Sequence, residues 1–199
     1  MKSEVLKIEL ELTESQLGTC PKDKEIYKTY IASKSENAEN GKEEVQTIEQ
    51  IEEKGWTGFH ADSDGIFIYD YMVRGFLKAA GNAMKGQMNL KAVASKIDQF
   101  VFVFPRRIHV TLDGENVKNP HGIIERPLRA QTMQGPRVTL ARSDYLQAKC
   151  KYEFEIHVLE NDRGITPKVV TSLLEYGKFS GLGQFRNGSY GRFNFKVQK

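Results

Sequence analysis

The residues of this chain best suited to do chemistry are gathered near its C-terminal end, in Gly181-Leu-Gly-Gln-Phe-Arg-Asn-Gly-Ser-Tyr-Gly-Arg-Phe193. Glycines 181, 183, 188 and 191 are interleaved there with Arg186, Arg192 and aromatic rings. Glycine tolerates positive φ and lets backbone N–H groups come close to a partner. Arginine supplies forked donors that match phosphate, and Phe or Tyr supplies stacking faces. A polyanion is the partner this composition fits, with a tight turn between packed elements as the structural alternative.

Other candidates for chemistry are thinner. Asp62 and Asp64, in Asp-Ser-Asp-Gly, offer hard oxygen ligands suited to Mg²⁺, yet the same tetrapeptide is an ordinary turn, and the turn is the preferred reading. His109 and His157 fall within strand-like runs, while His60 and His121 lie in loops where a general base can move, though nothing nearby declares a second partner. Cys20 and Cys150 are far apart without CxxC spacing, which argues against a zinc site or a disulfide framework. Neither a Walker-type GxxxxGK[ST] nor a Ser-His-Asp order is present. Binding is therefore expected rather than catalysis, and no catalytic residue, metal or cofactor is assigned.

Charge supports that direction. Residues 1–65 hold 8 Lys and no Arg against 15 Asp and Glu, a net of −7, whereas residues 66–199 hold 21 Lys and Arg against 11 acids, a net of +10. All ten arginines lie in the second part. Such a division is the footprint of a polyanion surface on the basic part, with a solvated basic face as its alternative. No run of 18 apolar residues is present, and Met1-Lys-Ser-Glu-Val-Leu-Lys alternates charged with apolar residues, so the expectation is a cytoplasmic protein without a membrane segment.

The elements that must position these groups can be read from periodicity. Leu6, Ile8, Leu10 and Leu12 alternate with Lys7, Glu9 and Glu11, a half-buried strand. Pro21 suits the start of a short helix with Ile26 and Tyr30 on its apolar stripe. Ser33 to Lys54 is rich in Glu, Lys, Asn and Ser and reads as a polar insertion. Ile66 to Tyr69 is a brief strand, and Asp70 is placed to cap a helix from Tyr71 to about Met84, whose small residues Gly75, Ala79, Ala80 and Ala83 would press onto a sheet. Arg74 and Lys78 share its outward side. Gln99 to Phe104 is a β-forming run, and Pro105 makes it either one bent strand or two. Ile123 to Gln147 carries Arg126, Arg129, Arg137 and Arg142 with a Gly-Pro break and reads as a long hairpin or a protruding loop. Lys151 to Leu159 alternates cleanly, Thr166-Pro167 opens a helix through Val169, Val170, Leu173 and Leu174 that stops at Gly177, and Phe193 to Val197 closes as a strand. The order implies an α+β fold, a ferredoxin-like (RRM-like) β-α-β-β-α-β antiparallel sheet with two helices, a C-terminal glycine-rich loop and a long arginine-rich hairpin. Residues 1–199 are expected to form a single domain, with 20–54 as an acidic insertion.

With these residues in place, the chain resembles the RAMP superfamily, the ferredoxin-like RNA-binding proteins of CRISPR effector complexes, and among them the backbone subunits. Gly181-Leu-Gly and Gly188-Ser-Tyr-Gly191-Arg resemble the family's glycine-rich signature after its second helix. Asp62-Ser-Asp-Gly-Ile-Phe-Ile-Tyr with Arg74-Gly-Phe-Leu-Lys is similar to the lead into its first helix, and the arginine hairpin running into Tyr152-Glu-Phe-Glu-Ile is similar to its thumb-like hairpin. The acidic insertion and the small size depart from the pattern, and the overall texture is similar to that of phage and prophage proteins. The resemblance implies single-stranded RNA as partner, with assembly side by side along the strand or within a CRISPR-type complex. The expected contacts are Arg74, Lys78, Arg126, Arg129, Arg137, Arg142, Gly181, Gly183, Arg186, Gly188, Gly191 and Arg192. Two other functions stay open: an endoribonuclease of the RNA-processing type using His60 or His121, and a phage-borne inhibitor that binds a bacterial defence complex or its nucleotide signal.

Overall fold

A computed structural model describes residues 2–22, 56–88, 90–132 and 135–198. In chain order its N-terminal half holds β1 (Ser3–Leu12), β2 (Gln16–Leu17), β3 (Cys20–Pro21), β4 (Thr57–Gly58), β5 (His60–Ala61), β6 (Ile66–Tyr69), α1 (Asp70–Ala83), α2 (Lys85–Met88) and α3 (Val93–Phe100). There follow β7 (Val101–Phe104), β8 (Arg107–Leu112), β9 (Glu115–Asn116), β10 (Gly122–Thr132), β11 (Gly135–Leu146), β12 (Lys151–Leu159), α4 (Pro167–Glu175) and β13 (Phe193–Gln198). The fold is α+β. β1 pairs antiparallel with β12 on one side and β13 on the other, and β12 in turn pairs antiparallel with β7. The order β13-β1-β12-β7, with α1 before β7 and α4 before β13, is the ferredoxin-like β-α-β-β-α-β arrangement. Among the described residues no helix is long and apolar enough to cross a membrane.

Alternation decides which face of this sheet is covered. Ile8, Leu10 and Leu12 of β1 and Tyr152, Phe154 and Ile156 of β12 point into one core, which Val73, Phe76 and Leu77 of α1 and Val170, Leu173 and Leu174 of α4 close from the other side. Burying each such side chain stabilises by about 1.5–3 kcal/mol, and that magnitude corrects the expected face of α1. Its large apolar residues outweigh the small ones: Ala80 is buried, but Gly75, Ala79 and Ala83 are exposed. Asp70 begins the helix rather than capping it, since the N-cap position is Tyr69 and no side chain caps there. An acid in the first turn still suits the helix dipole.

Three further elements differ from the periodicity reading. α3 was hidden because it buries only Val93 and Ile97 and runs into the β-forming stretch with no breaker between them. Pro105 separates β7 from β8, so the two-strand alternative holds. Pro21 opens no helix. It lies in β3, opposite Thr57 of β4, because a proline without N–H is tolerated at a sheet edge as well as at a helix start. The remainder of that expected helix and of the acidic insertion lies outside the described residues. β10 and β11 form the long hairpin, paired from Gly122↔Tyr145 to Thr132↔Gly135. Its foot is broadened by β2, antiparallel to β11, and by β4, parallel to it at Ser143↔Thr57.

Candidate nucleic-acid interface

The glycine loop leaves α4 through a single 3-10 turn, Tyr176–Lys178, and returns at β13. Its neck is a backbone crossing. Leu182 N donates to Gly191 O at 2.9 Å, and Gly191 N donates to Ser15 O at 2.8 Å. A Cβ on Gly181 would fall 1.9 Å from the carbonyl carbon of Gly191, and one on Gly191, whose φ is +71°, would fall 1.9 Å from Leu182 O. These two glycines are therefore required by the crossing itself. Gly188 sits against the Phe185 ring and donates its N–H to Phe185 O at 2.9 Å. The expectation that loop N–H groups face a partner is thus corrected for Gly188 and Gly191, whose amides already have internal acceptors. Gly183, at φ +92°, packs beside Gln16 and Leu17.

Among the charged candidates, the environments divide. Arg74 and Lys78 both donate to Asp98 of α3, at 3.1 and 2.6 Å, and Arg142 donates to Glu125 across the hairpin at 2.8 Å. The outward cations expected on α1 are therefore neutralised by a residue that the sequence placed in no element with them. The side chains of Arg129 and Arg137 lie outside the described part of the structure. Arg126, Arg186 and Arg192 have no carboxylate partner among the described residues. Arg186 Nε donates to Gly183 O and Arg192 Nε to Phe179 O, each at 3.3 Å.

Arg126 is the unusual member. It is 7% exposed, donates to Ser143 Oγ at 2.9 Å, and its Nε has no hydrogen-bond partner. Its guanidinium lies 4.6 Å from the ring centre of Phe185, a cation–π contact. Burial pulls its pKa below the usual arginine value. Phe185 has a left-handed backbone, φ 55°, and stays 43% exposed, with Tyr190 at 5.9 Å. The hairpin foot is tied to the loop beneath them: Gln184 Oε1 accepts from Thr57 Oγ1 at 3.0 Å and from Ser143 Oγ at 3.3 Å. The sequence did not indicate Ser143, Thr57 or Gln184, whose types are common in any loop. Phe185 is one of the rings whose stacking faces the sequence offers, with a place in the core beneath the loop as its preferred reading; its exposure corrects that preference.

Beside the loop is a cleft of about 230 Å³, lined by Thr19, Cys20, His60, Tyr71, Gly75 and Arg186 among others. His60 meets Tyr69 edge-on at 4.9 Å, and Tyr69 stacks on Tyr71 at 5.2 Å. Burial lowers the pKa of His60 and raises that of the Cys20 thiol, so both are neutral near pH 7. His60 lies in β5 rather than in a loop. His121 accepts Gln147 N–H at Nδ1, 3.4 Å away. Across the sheet, Asp62 accepts from Asp64 N and from Arg107, and it shares a hydrogen bond of 2.9 Å with His109 Nε2. The ligand atoms of Asp62, Asp64 and His109 lie within 4.8 Å of one another. The turn accounts for Asp62 with Asp64, and a divalent ion held by Asp62, Asp64 and His109 would have to break the hydrogen bonds that Asp62 makes with Arg107 and His109.

No protein-family model matches the chain, and no curated protein matches it in sequence. Its fold is similar to that of a chain in the cryo-EM structure of the type III-B Cmr-beta complex bound to cognate target RNA, with a TM-score of 0.51 and 12% identity. All of this chain is covered, and it spans 60% of the length of that chain. At such identity the likeness concerns the fold.

Proposed function

We propose that the chain binds single-stranded RNA without cleaving it, as a RAMP-like subunit of a CRISPR-type ribonucleoprotein, through the glycine loop and the foot of the arginine hairpin. The reading takes residues 1–199 as one such domain with 20–54 as an insertion. The observation that carries it is Arg126, a cation almost fully removed from water with no acidic partner among the described residues. Burying a charge without a counter-charge is costly, and a phosphate beside Phe185 would supply one. Arg186 and Arg192 extend that unmatched charge along the loop. The fold supports the choice of ligand, because the similar chain belongs to a complex described as bound to RNA. Arg129 and Arg137 stay in the proposal as contacts expected from the sequence, while Arg74, Lys78 and Arg142 contribute by exchanging carboxylates for phosphates. Gly181, Gly183, Gly188 and Gly191 shape the loop that presents the arginines.

The test is anisotropy of a labelled oligoribonucleotide across a salt series. Log affinity should fall with log salt at about −0.7 per phosphate neutralised. Replacing Arg186 and Arg192 together by Ala should weaken binding and flatten the slope by about one to two phosphates' worth, whereas Lys78→Ala, which removes a cation already paired with Asp98, should do less. Unchanged affinity in a folded Arg186→Ala/Arg192→Ala variant would remove the loop from the interface.

A further inference from the structure

Within the glycine loop, the backbone and the side chain of Phe185 both resist explanation by packing. Its φ of 55° and ψ of 44° lie in the left-handed region, which a bulky L-residue rarely adopts. Elsewhere in the loop that region is taken by the small residues Gly183, Ser189 and Gly191. Strain of this kind persists only where the surroundings enforce it, and it gathers at ligand-binding positions. Burial does not account for it, because Phe185 stays 43% exposed and is no part of the hydrophobic core.

The ring is fixed all the same. The Arg126 guanidinium lies against it, Tyr190 flanks it with planes 40° apart, and a Cβ on Gly188 would fall 2.3 Å from its Cε1. Arg126 is itself held by Ser143 Oγ on the hairpin foot. An aromatic surface that is already ordered loses little side-chain entropy when a second ring is laid on it. The cation contributes too, because a guanidinium draws on the negative π cloud of the ring and lowers the repulsion that a second π system would meet. Beside the ring, Gly188 is exposed and carries no side chain, which leaves room for a base wider than one ring.

We propose that the exposed side of the Phe185 ring is a stacking platform for one base of the bound strand, a purine in preference to a pyrimidine, with a phosphate of the same nucleotide beside Arg126. The platform rests on the reading that the loop takes single-stranded RNA, and it adds a contact that senses the base. Arginines on phosphates carry no sequence information, whereas stacking strengthens with the area of overlap and so favours the larger bases.

Two substitutions separate the ring from the fold. Phe185→Asn removes the ring and supplies a residue that accepts the left-handed region, while Phe185→Trp keeps a stacking face. Labelled oligo-A and oligo-U of equal length are titrated by anisotropy against the whole chain and both variants at several salt concentrations. The wild type should prefer oligo-A several-fold. Phe185→Asn should lose about tenfold on oligo-A, the scale of one stacked base, and should bind the two oligomers alike. Its salt slope should stay that of the wild type, because no phosphate contact has gone. Phe185→Trp should keep the preference, and the emission it adds to that of Trp56 should be quenched by oligo-A but not by inorganic polyphosphate, which has charge without bases. Phe185→Asn should also melt no lower than the wild type, since it relieves the backbone; a fall of several degrees would assign the ring to packing and overturn the platform. So would equal binding of the two oligomers by the wild type, full affinity in Phe185→Asn, or quenching by polyphosphate as strong as by oligo-A. Salt-dependent RNA binding that is indifferent to position 185 ends the platform and leaves the RNA reading standing, whereas a wild type that binds neither oligomer ends both.

Discussion

At the scale of single residues, Asp62 illustrates how one side chain can present the ligands of a metal site while serving as a structural lock. Its hydrogen bond with His109 does most to hold its pKa down, at about 2, against some desolvation, and Asp64 N–H and Arg107 add to the effect. A carboxylate depressed below its ordinary value near 3.8 contributes stability that is fully present above that pH and is lost as the pH falls through about 2. Asp62→Asn keeps the shape and removes the charge. The melting-temperature gap between wild type and Asp62→Asn should be at its full width above about pH 4 and should close as the pH falls toward 2; a gap independent of pH would mean that the charge contributes nothing. The turn formed by Asp62 and Asp64 was legible in the sequence, because its hydrogen bond spans two residues. The locking partners were not, since Arg107 and His109 arrive from β8, across a strand pairing that no local pattern encodes. The same reason hid the pairing of Arg74 and Lys78 with Asp98, which joins α1 to α3.

Elements were legible where one periodic stripe met one core. β1, β12, α4 and β13 alternate or repeat over enough residues that a single reading survives, and Thr166 accepts a hydrogen bond from Val169 N as its position before Pro167 implied. α1 was located correctly but rotated wrongly, because small residues were read as contact surface. The distinction can be measured with two glycines in the same helix. A Cβ at Gly75 meets nothing, whereas one at Gly81 would fall 2.6 Å from Val93 Cγ1, where α1 crosses α3. Gly75→Ala should therefore stabilise by about 0.5–1 kcal/mol through helix propensity. Gly81→Ala should destabilise by about 1–3 kcal/mol, because a β-branched neighbour on a packed helix cannot give way without shifting the backbone. Urea melts of both variants check the pair. Equal effects would mean that the close crossing of α1 and α3 is looser than these distances indicate.

For the whole molecule the question is which of two surfaces would meet the proposed RNA. A ferredoxin-like sheet covered by helices on one side leaves its other side open, and RRM domains read RNA on that open side with aromatic rings. Here the open side carries Glu9 and Glu11 of β1 opposite Glu153 and Lys151 of β12, with Glu155 beside Lys7. Lys151 and Lys196 are drawn to Glu9 rather than left for phosphate. Four carboxylates against three lysines leave that surface without the unmatched positive charge that draws a polyanion. The opposite end, where the loop, the hairpin foot and the start of α1 converge, retains Arg126, Arg186 and Arg192 without carboxylates among the described residues. The charge division along the sequence implies a basic side, yet it could not say which face, because β1 of the acidic part lies between β12 and β13 of the basic part. Hydrogen exchange with and without oligoribonucleotide decides between the surfaces. Protection should appear at residues 181–192, at 71–75 and around Arg126 and Ser143, and should be absent from the amides of 5–11 and 151–157 beyond their ordinary sheet protection. The central strands exchange slowly in any case, so the informative comparison is with the edge: new protection along β13 and β7 would place RNA on the open sheet, whereas protection confined to the loop and the hairpin foot places it where the unmatched arginines are.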